Sequence, residues 1–82
     1  NETSNGTHLP DLRAFQHLQV LKCFDATSSM GGGDFDWTGG DVWFASVQKC
    51  FGLPAGLALL VCSPKALAHA ERLGDRAHYN SL

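Results

Sequence analysis

Eighty-two residues, 44% of them hydrophobic, hold the chain to one small domain with one core. A chain this short buries only roughly 60–65% of its unfolded surface. Six Lys and Arg against eight Asp and Glu leave a net charge of −2, and the basic residues stand singly, which argues against a nucleic-acid-binding patch.

The chain opens on Asn1-Glu2-Thr3-Ser4-Asn5-Gly6, which carries no hydrophobic period and reads as a turn. No basic stretch leads into an apolar one, so no secretory signal is expected. Pro10 suits a first helical turn, and Leu12, Phe15 and Leu18 recur at helical spacing, predicting an amphipathic helix over 10–18. Val20, Leu21, Cys23 and Phe24 form an apolar run broken by Lys22, read as a strand whose far end delivers Asp25. Residues 30–40 then hold five of the nine glycines. Val42-Trp43-Phe44-Ala45 is a second run of strand formers.

A loop with Gly52, Pro54 and Gly56 leads to the third strand, 57–62. That run is the longest fully apolar one in the chain and falls far short of the ~20 residues a spanning helix needs, so no membrane partner is expected. Ser63 as N-cap, Pro64 at the first helical position and Gly74 at the end mark a helix, with Leu67, Ala70 and Leu73 as its buried stripe. Apolar runs with little alternation suggest strands covered on both faces, as in an α/β sheet. Such a sheet needs helices on both sides and only two are predicted. The 82 residues are therefore expected to be a piece of a larger domain.

The cysteines (Cys23, Cys50, Cys62) are odd in number and widely spaced, which points to a reducing, cytoplasmic setting and not to a disulfide framework. The glycines match neither a P-loop, which needs Gly-Lys-Ser/Thr, nor a dinucleotide fingerprint. Gly32-Gly33-Asp34-Phe35-Asp36 with Gly39-Gly40-Asp41 offers hard oxygen ligands and leaves a non-catalytic calcium-binding loop as an alternative. Repeats of that kind come in tandem, however, and here there is one copy. His8, His17, His69 and His78 lack metal-ligand spacing, so no metal is expected.

Lys49 stands out, in Ser46-Val47-Gln48-Lys49-Cys50-Phe51-Gly52. Its apolar neighbours would desolvate the amine and make it a nucleophile. It follows Asp25 by 24 residues, and both come after short strands. Were those strands parallel, amine and carboxylate would emerge at one carboxyl edge, where α/β sheets bind ligands. An amine facing a carboxylate is what pyridoxal phosphate requires: the lysine for a Schiff base, the carboxylate for the pyridine nitrogen. A competing reading makes Asp25 an N-cap or an Asx turn ahead of Ala26-Thr27-Ser28-Ser29.

Asp25-Ala26-Thr27-Ser28-Ser29, Asp41-Val42-Trp43-Phe44, Ser46-Val47-Gln48-Lys49 and Gly52-Leu53-Pro54-Ala55-Gly56-Leu57, in that order, resemble class V aminotransferases, which bind pyridoxal 5'-phosphate. Within them the likeness is to the phosphoserine aminotransferase family, whose Asn-Glu-Thr-x-x-Gly segment Asn1–Gly6 also resembles. The resemblance implies that Lys49 is the catalytic, cofactor-linked lysine. It pairs Asp25 with the pyridine nitrogen, Thr3 with the phenolic oxygen and Gln48 with the phosphate.

The same resemblance implies a fragment of the fold-type I large domain, mostly parallel and flanked by helices, with the strand after the lysine antiparallel. Residues 1–82 would be its central part, incomplete at both ends. The implied reaction is phosphoserine:2-oxoglutarate transamination in serine biosynthesis, by a homodimer with amino-acid and 2-oxo-acid substrates. Alanine–glyoxylate and serine–pyruvate aminotransferases share the Gln-Lys neighbourhood and are the alternatives within the class. The ring-stacking aromatic and the first phosphate-binding turn would precede Asn1. The substrate-carboxylate arginine would follow Leu82.

Overall fold

The computed structural model describes residues 15–34 and 36–77. The turn over 1–6 and most of the helix expected over 10–18 lie outside them. The described chain runs β1 (Cys23–Asp25), β2 (Val42–Ser46), β3 (Ala58–Cys62) and α1 (Pro64–Leu73), an α/β arrangement. The three strands form one sheet in the order β1-β2-β3.

β1 and β2 pair in parallel, with Cys23 opposite Val42, Phe24 opposite Trp43 and Asp25 opposite Phe44. β3 returns antiparallel to β2, Val42 opposite Cys62 and Ser46 opposite Ala58. The first strand is shorter than its apolar run suggests, because Val20 and Leu21 precede the pairing.

Side chains of paired residues share a face, so Phe24, Trp43, Ala45, Leu59 and Val61 line one side of the sheet. The long connection between β1 and β2 folds over that side. Its Ala26 and Met30 join Trp43 and Ala45 in the buried core, with Phe24 and Phe51 packed around them. Phe24 stacks on Trp43 at a centroid distance of 4.7 Å, and Trp37 meets Trp43 edge-on at 5.9 Å. Gly40 makes the stack possible: a Cβ there would stand 2.6 Å from the Phe24 ring.

Two expectations change. Coverage of the strands on both faces does not hold among the described residues. Phe44 and Leu60, on the opposite face, are 40% and 49% exposed, and even Leu59 and Val61 are only partly covered by the loop. On α1 the buried residue is Ala66, while Leu67 and Leu73 are exposed. The helix is capped as expected: Ser63 Oγ accepts from Ala66 N–H, and Gly74, in the left-handed region, donates its N–H to Ala70. Ser63 is itself held on Asp41, which ties the start of the helix to the amino edge of the sheet.

Asp41 ties the amino edge of the sheet together. Its Oδ2 accepts from Lys22 N–H at 3.0 Å, its Oδ1 from the Ser63 hydroxyl at 3.3 Å, and its carbonyl from Ser63 N–H at 2.7 Å. The Lys22 N–H bond holds the carboxyl below the ordinary carboxylate range. Lys65, 4.0 Å away, and the Ser63 hydroxyl add to this, and burial opposes it.

Asp41→Ala strands the Lys22 and Ser63 donors and is expected to cost about 1–3 kcal/mol in urea unfolding at neutral pH. A folded-state pKa below the unfolded one contributes stability that is present above the unfolded pKa and lost as pH falls through the folded one. The gap between wild type and variant should therefore narrow on acidification below roughly pH 5. A gap that stays constant from neutral to acid pH would show that the charge on Asp41 contributes nothing.

Candidate active site

Asp25 is the last residue of β1, and Lys49 lies three residues beyond the end of β2. These strands are parallel, the condition on which the shared edge rested, and both residues emerge at one carboxyl edge. The edge is built from two turns that grip each other.

The first turn, 26–30, closes through Ser29 N–H and Met30 N–H to the Ala26 carbonyl, at 3.1 and 2.8 Å. Its start is an Asx turn. Asp25 Oδ1 accepts from Thr27 N–H at 3.0 Å and from the Thr27 hydroxyl at 2.7 Å. The competing reading of Asp25 is thus met in the structure. It does not conflict with a ligand role, since a carboxylate offers several acceptor sites on two oxygens. The Thr27 hydroxyl bond first, and then its N–H bond, hold the Asp25 carboxyl below the ordinary range. The Lys49 charge lowers it further, and burial works the other way.

The second turn follows Val47, which is buried and anchors it. Val47 N–H donates to the Leu57 carbonyl at 3.2 Å, Leu53 N–H to that of Val47 at 3.1 Å, and Gly52 N–H to that of Lys49 at 2.9 Å. Gly52 has φ +66°, a conformation that favours glycine. Lys49 Nζ reaches across and donates to Ser28 Oγ at 2.7 Å, and Cys50 Sγ lies 3.5 Å from the Ser28 carbonyl.

The desolvated setting expected for Lys49 is not what the structure shows. The side chain is exposed, as are those of Gln48 beside it and Asp25 across the edge. Its apolar neighbours Val47 and Phe51 turn inward instead and leave the amine in the open. Thr3 lies outside the described residues. Sequence reasoning passed over Thr27 and Ser28 as individual residues. An Asp-x-Thr-Ser stretch after a strand is the signal for side-chain-to-backbone turns that could have found them.

The acidic residues of the glycine-rich stretch do not converge. Asp36 accepts from Thr38 N–H and caps the 3-10 turn Trp37–Gly39, while Asp41 is engaged at the opposite edge of the sheet. Among the described residues no group of three or more His, Cys, Asp or Glu is placed to hold a metal ion. The calcium alternative loses its ligand set.

Over 73 residues, 89% of its length, the chain is 42% identical to the phosphoserine aminotransferase of Corynebacterium glutamicum, of which it covers 19%. It is 35% identical over 79 residues, 96% of its length, to the phosphoserine aminotransferases of Rhodococcus opacus and Rhodococcus jostii, covering 21% of each. No family model and no solved structure matches the chain. The chain is homologous to phosphoserine aminotransferases over nearly all of its own length, and it spans about a fifth of theirs. The likeness first read from a few motifs is thereby borne out.

Just past the first turn the chain runs close to the second at Gly32, where a Cβ would stand 2.8 Å from Cys50 Sγ. Gly32→Ala is expected to destabilise the protein by about 1–3 kcal/mol through overpacking. Cys50→Ala in the same chain should restore most of that loss, as read from urea midpoints. Failure of the second change to compensate would place the strain elsewhere.

Proposed function

We propose that this chain is the central part of the cofactor-binding domain of a pyridoxal-phosphate-dependent phosphoserine aminotransferase, of fold type I. It would move an amino group between phosphoserine and 2-oxoglutarate in serine biosynthesis. The observation that carries this reading is the meeting of Asp25 and Lys49 at one carboxyl edge of a parallel strand pair, in a chain homologous to phosphoserine aminotransferases. The antiparallel return of β3 agrees with the fold the resemblance implies.

The donor set fits pyridoxal phosphate. The cofactor has an aldehyde, which needs a primary amine, and a pyridine nitrogen, which needs an anionic acceptor to stay protonated. Lys49 Nζ is exposed, with Ser28 Oγ as a polar rest 2.7 Å away. Asp25 is an ionised carboxylate whose charge is favoured by the Thr27 bonds. When bound, the cofactor supplies an aldehyde to capture the amino group and a ring that withdraws electrons from the substrate α-carbon.

Lys49 is the amine that holds the cofactor and the base that moves a proton at the substrate α-carbon. Asp25 holds the proton on the ring nitrogen, and its charge matters most as negative charge develops at the reacting carbon. Gln48 on the phosphate and Thr3 on the phenolic oxygen complete the set that the resemblance assigns. The same reading carries a homodimeric enzyme in the cytoplasm, and the free thiols of Cys23, Cys50 and Cys62 suit a reducing compartment.

In the full-length protein, phosphoserine should be the preferred amino donor over serine and alanine in a 2-oxoglutarate assay. A preference for alanine with glyoxylate would overturn the substrate assignment. Lys49→Ala should abolish nearly all turnover together with the visible absorbance of lysine-linked cofactor. Retention of that absorbance would mean another amine holds the cofactor. Asp25→Asn should lower kcat on the order of a hundredfold and change KM much less. Asp25→Glu, which keeps the charge one methylene away, should retain more activity. If Asp25 serves only as a turn residue, Asn replaces it almost silently, and wild-type kcat in the Asn variant would remove it from the site.

A further inference from the structure

The parallel ladder between β1 and β2 does not stop where β1 does. After the Asp25–Phe44 pair, Ala26 N–H donates to the Phe44 carbonyl at 2.8 Å. The next donor on β2 is Ser46 N–H, and by then the first chain has turned away. Its acceptor is a side chain, Thr27 Oγ1, at 3.2 Å. The hydroxyl has one proton to give and it gives it to Asp25 Oδ1, at 2.7 Å.

The two bonds fix each other. With a lone pair occupied by Ser46 N–H, the hydroxyl proton is directed at the carboxylate, and a second bond from Thr27 N–H to the same oxygen sets the Asp25 rotamer. The position of an exposed carboxylate at the end of β1 is thus referred to the backbone of β2, the strand that leads into the Lys49 turn. An exposed aspartate without such a tether samples several rotamers, and each bond it then makes must first offset that freedom.

We propose that Thr27 is a positioning residue: its hydroxyl, seated on Ser46 N–H, holds the Asp25 carboxylate in place to meet the pyridine nitrogen of pyridoxal phosphate. This rests on the reading of Asp25 given under Proposed function. Thr27 acts through Asp25 and touches no reacting atom. At neutral pH Asp25 is ionised with or without it, so the contribution is one of placement and not of charge.

The test is a double-mutant cycle on the full-length apo protein, read as affinity for pyridoxal phosphate by equilibrium titration, with apo thermal stability recorded alongside. Thr27→Val keeps the shape and removes the hydroxyl, and should weaken cofactor binding about tenfold. Thr27→Ser keeps a hydroxyl at the same place and should bind within about twofold of wild type, since the bond is retained. In an Asp25→Ala background, Thr27→Val should have no further effect on affinity, because the group it positions is gone. Any loss of apo stability from the unpaired Ser46 N–H should persist in that background, which separates the structural role from the positioning role.

Equal, additive losses of affinity in both backgrounds would overturn the proposal and leave Asp25 in its role. So would a Thr27→Ser variant as weak as Thr27→Val. Should Asp25→Ala itself bind the cofactor like wild type, the assignment of Asp25 fails first, and the proposal falls with it.

Discussion

Asp41 accepts hydrogen bonds from the backbone of Lys22 and from the side chain of Ser63, while its own backbone pairs with both residues. One residue therefore fixes the start of β2 against the approach to β1 and against the cap of α1. Parallel strands have no hairpin to set their register, and here the connection between them is a long, glycine-rich loop. A side-chain clamp at the amino edge takes over that task. It works because the carboxylate is nearly buried and ionised, which strengthens the hydrogen bonds it accepts.

The register fixed at one edge decides what meets at the other. Asp25 pairs opposite Phe44, so the turn after β1 and the turn after β2 rise side by side and bind each other through Thr27–Ser46, Ser28–Lys49 and Ser28–Cys50. A slip of one residue would turn Asp25 to the other face of the sheet and part it from the lysine turn. The contacts that make Asp25 a turn former also fix its carboxylate at that edge.

The sheet carries more apolar surface than the described residues cover. Trp43 and Ala45 are buried by the loop over one face, whereas Phe44 and Leu60 on the other and Leu57 at the strand entry remain largely open. Between the loop and β3 a cavity of about 390 Å³ is lined by Met30, Trp37, Phe51, Leu59 and Val61. Apolar strands of this composition belong to sheets covered on both sides. A chain spanning about a fifth of its relatives' length is in keeping with that composition.

Strand and helix positions were legible in the sequence because their signals are local. Apolar runs marked β2 and β3 within a residue or so, and Ser63-Pro64 with Gly74 bounded α1 because capping chemistry acts over a single turn. The shared edge of Asp25 and Lys49 was legible too, since two short strands of like pattern bring their far ends to one edge if they are parallel. Motif likeness carried the resemblance to phosphoserine aminotransferases, which the relatives bear out. What the sequence could not decide was anything that depends on one segment's orientation toward another. The clamp at Asp41 joins residues 19 and 22 positions away, and no local pattern tells such a carboxylate from a loop aspartate. The roll of α1, which buries Ala66 and not Leu67 or Leu73, is likewise set by what the helix meets and not by its own period. The open position of Lys49 follows from the inward turn of Val47 and Phe51. The Thr27 relay exists only because a parallel neighbour offers a backbone donor where the first strand has already left the sheet.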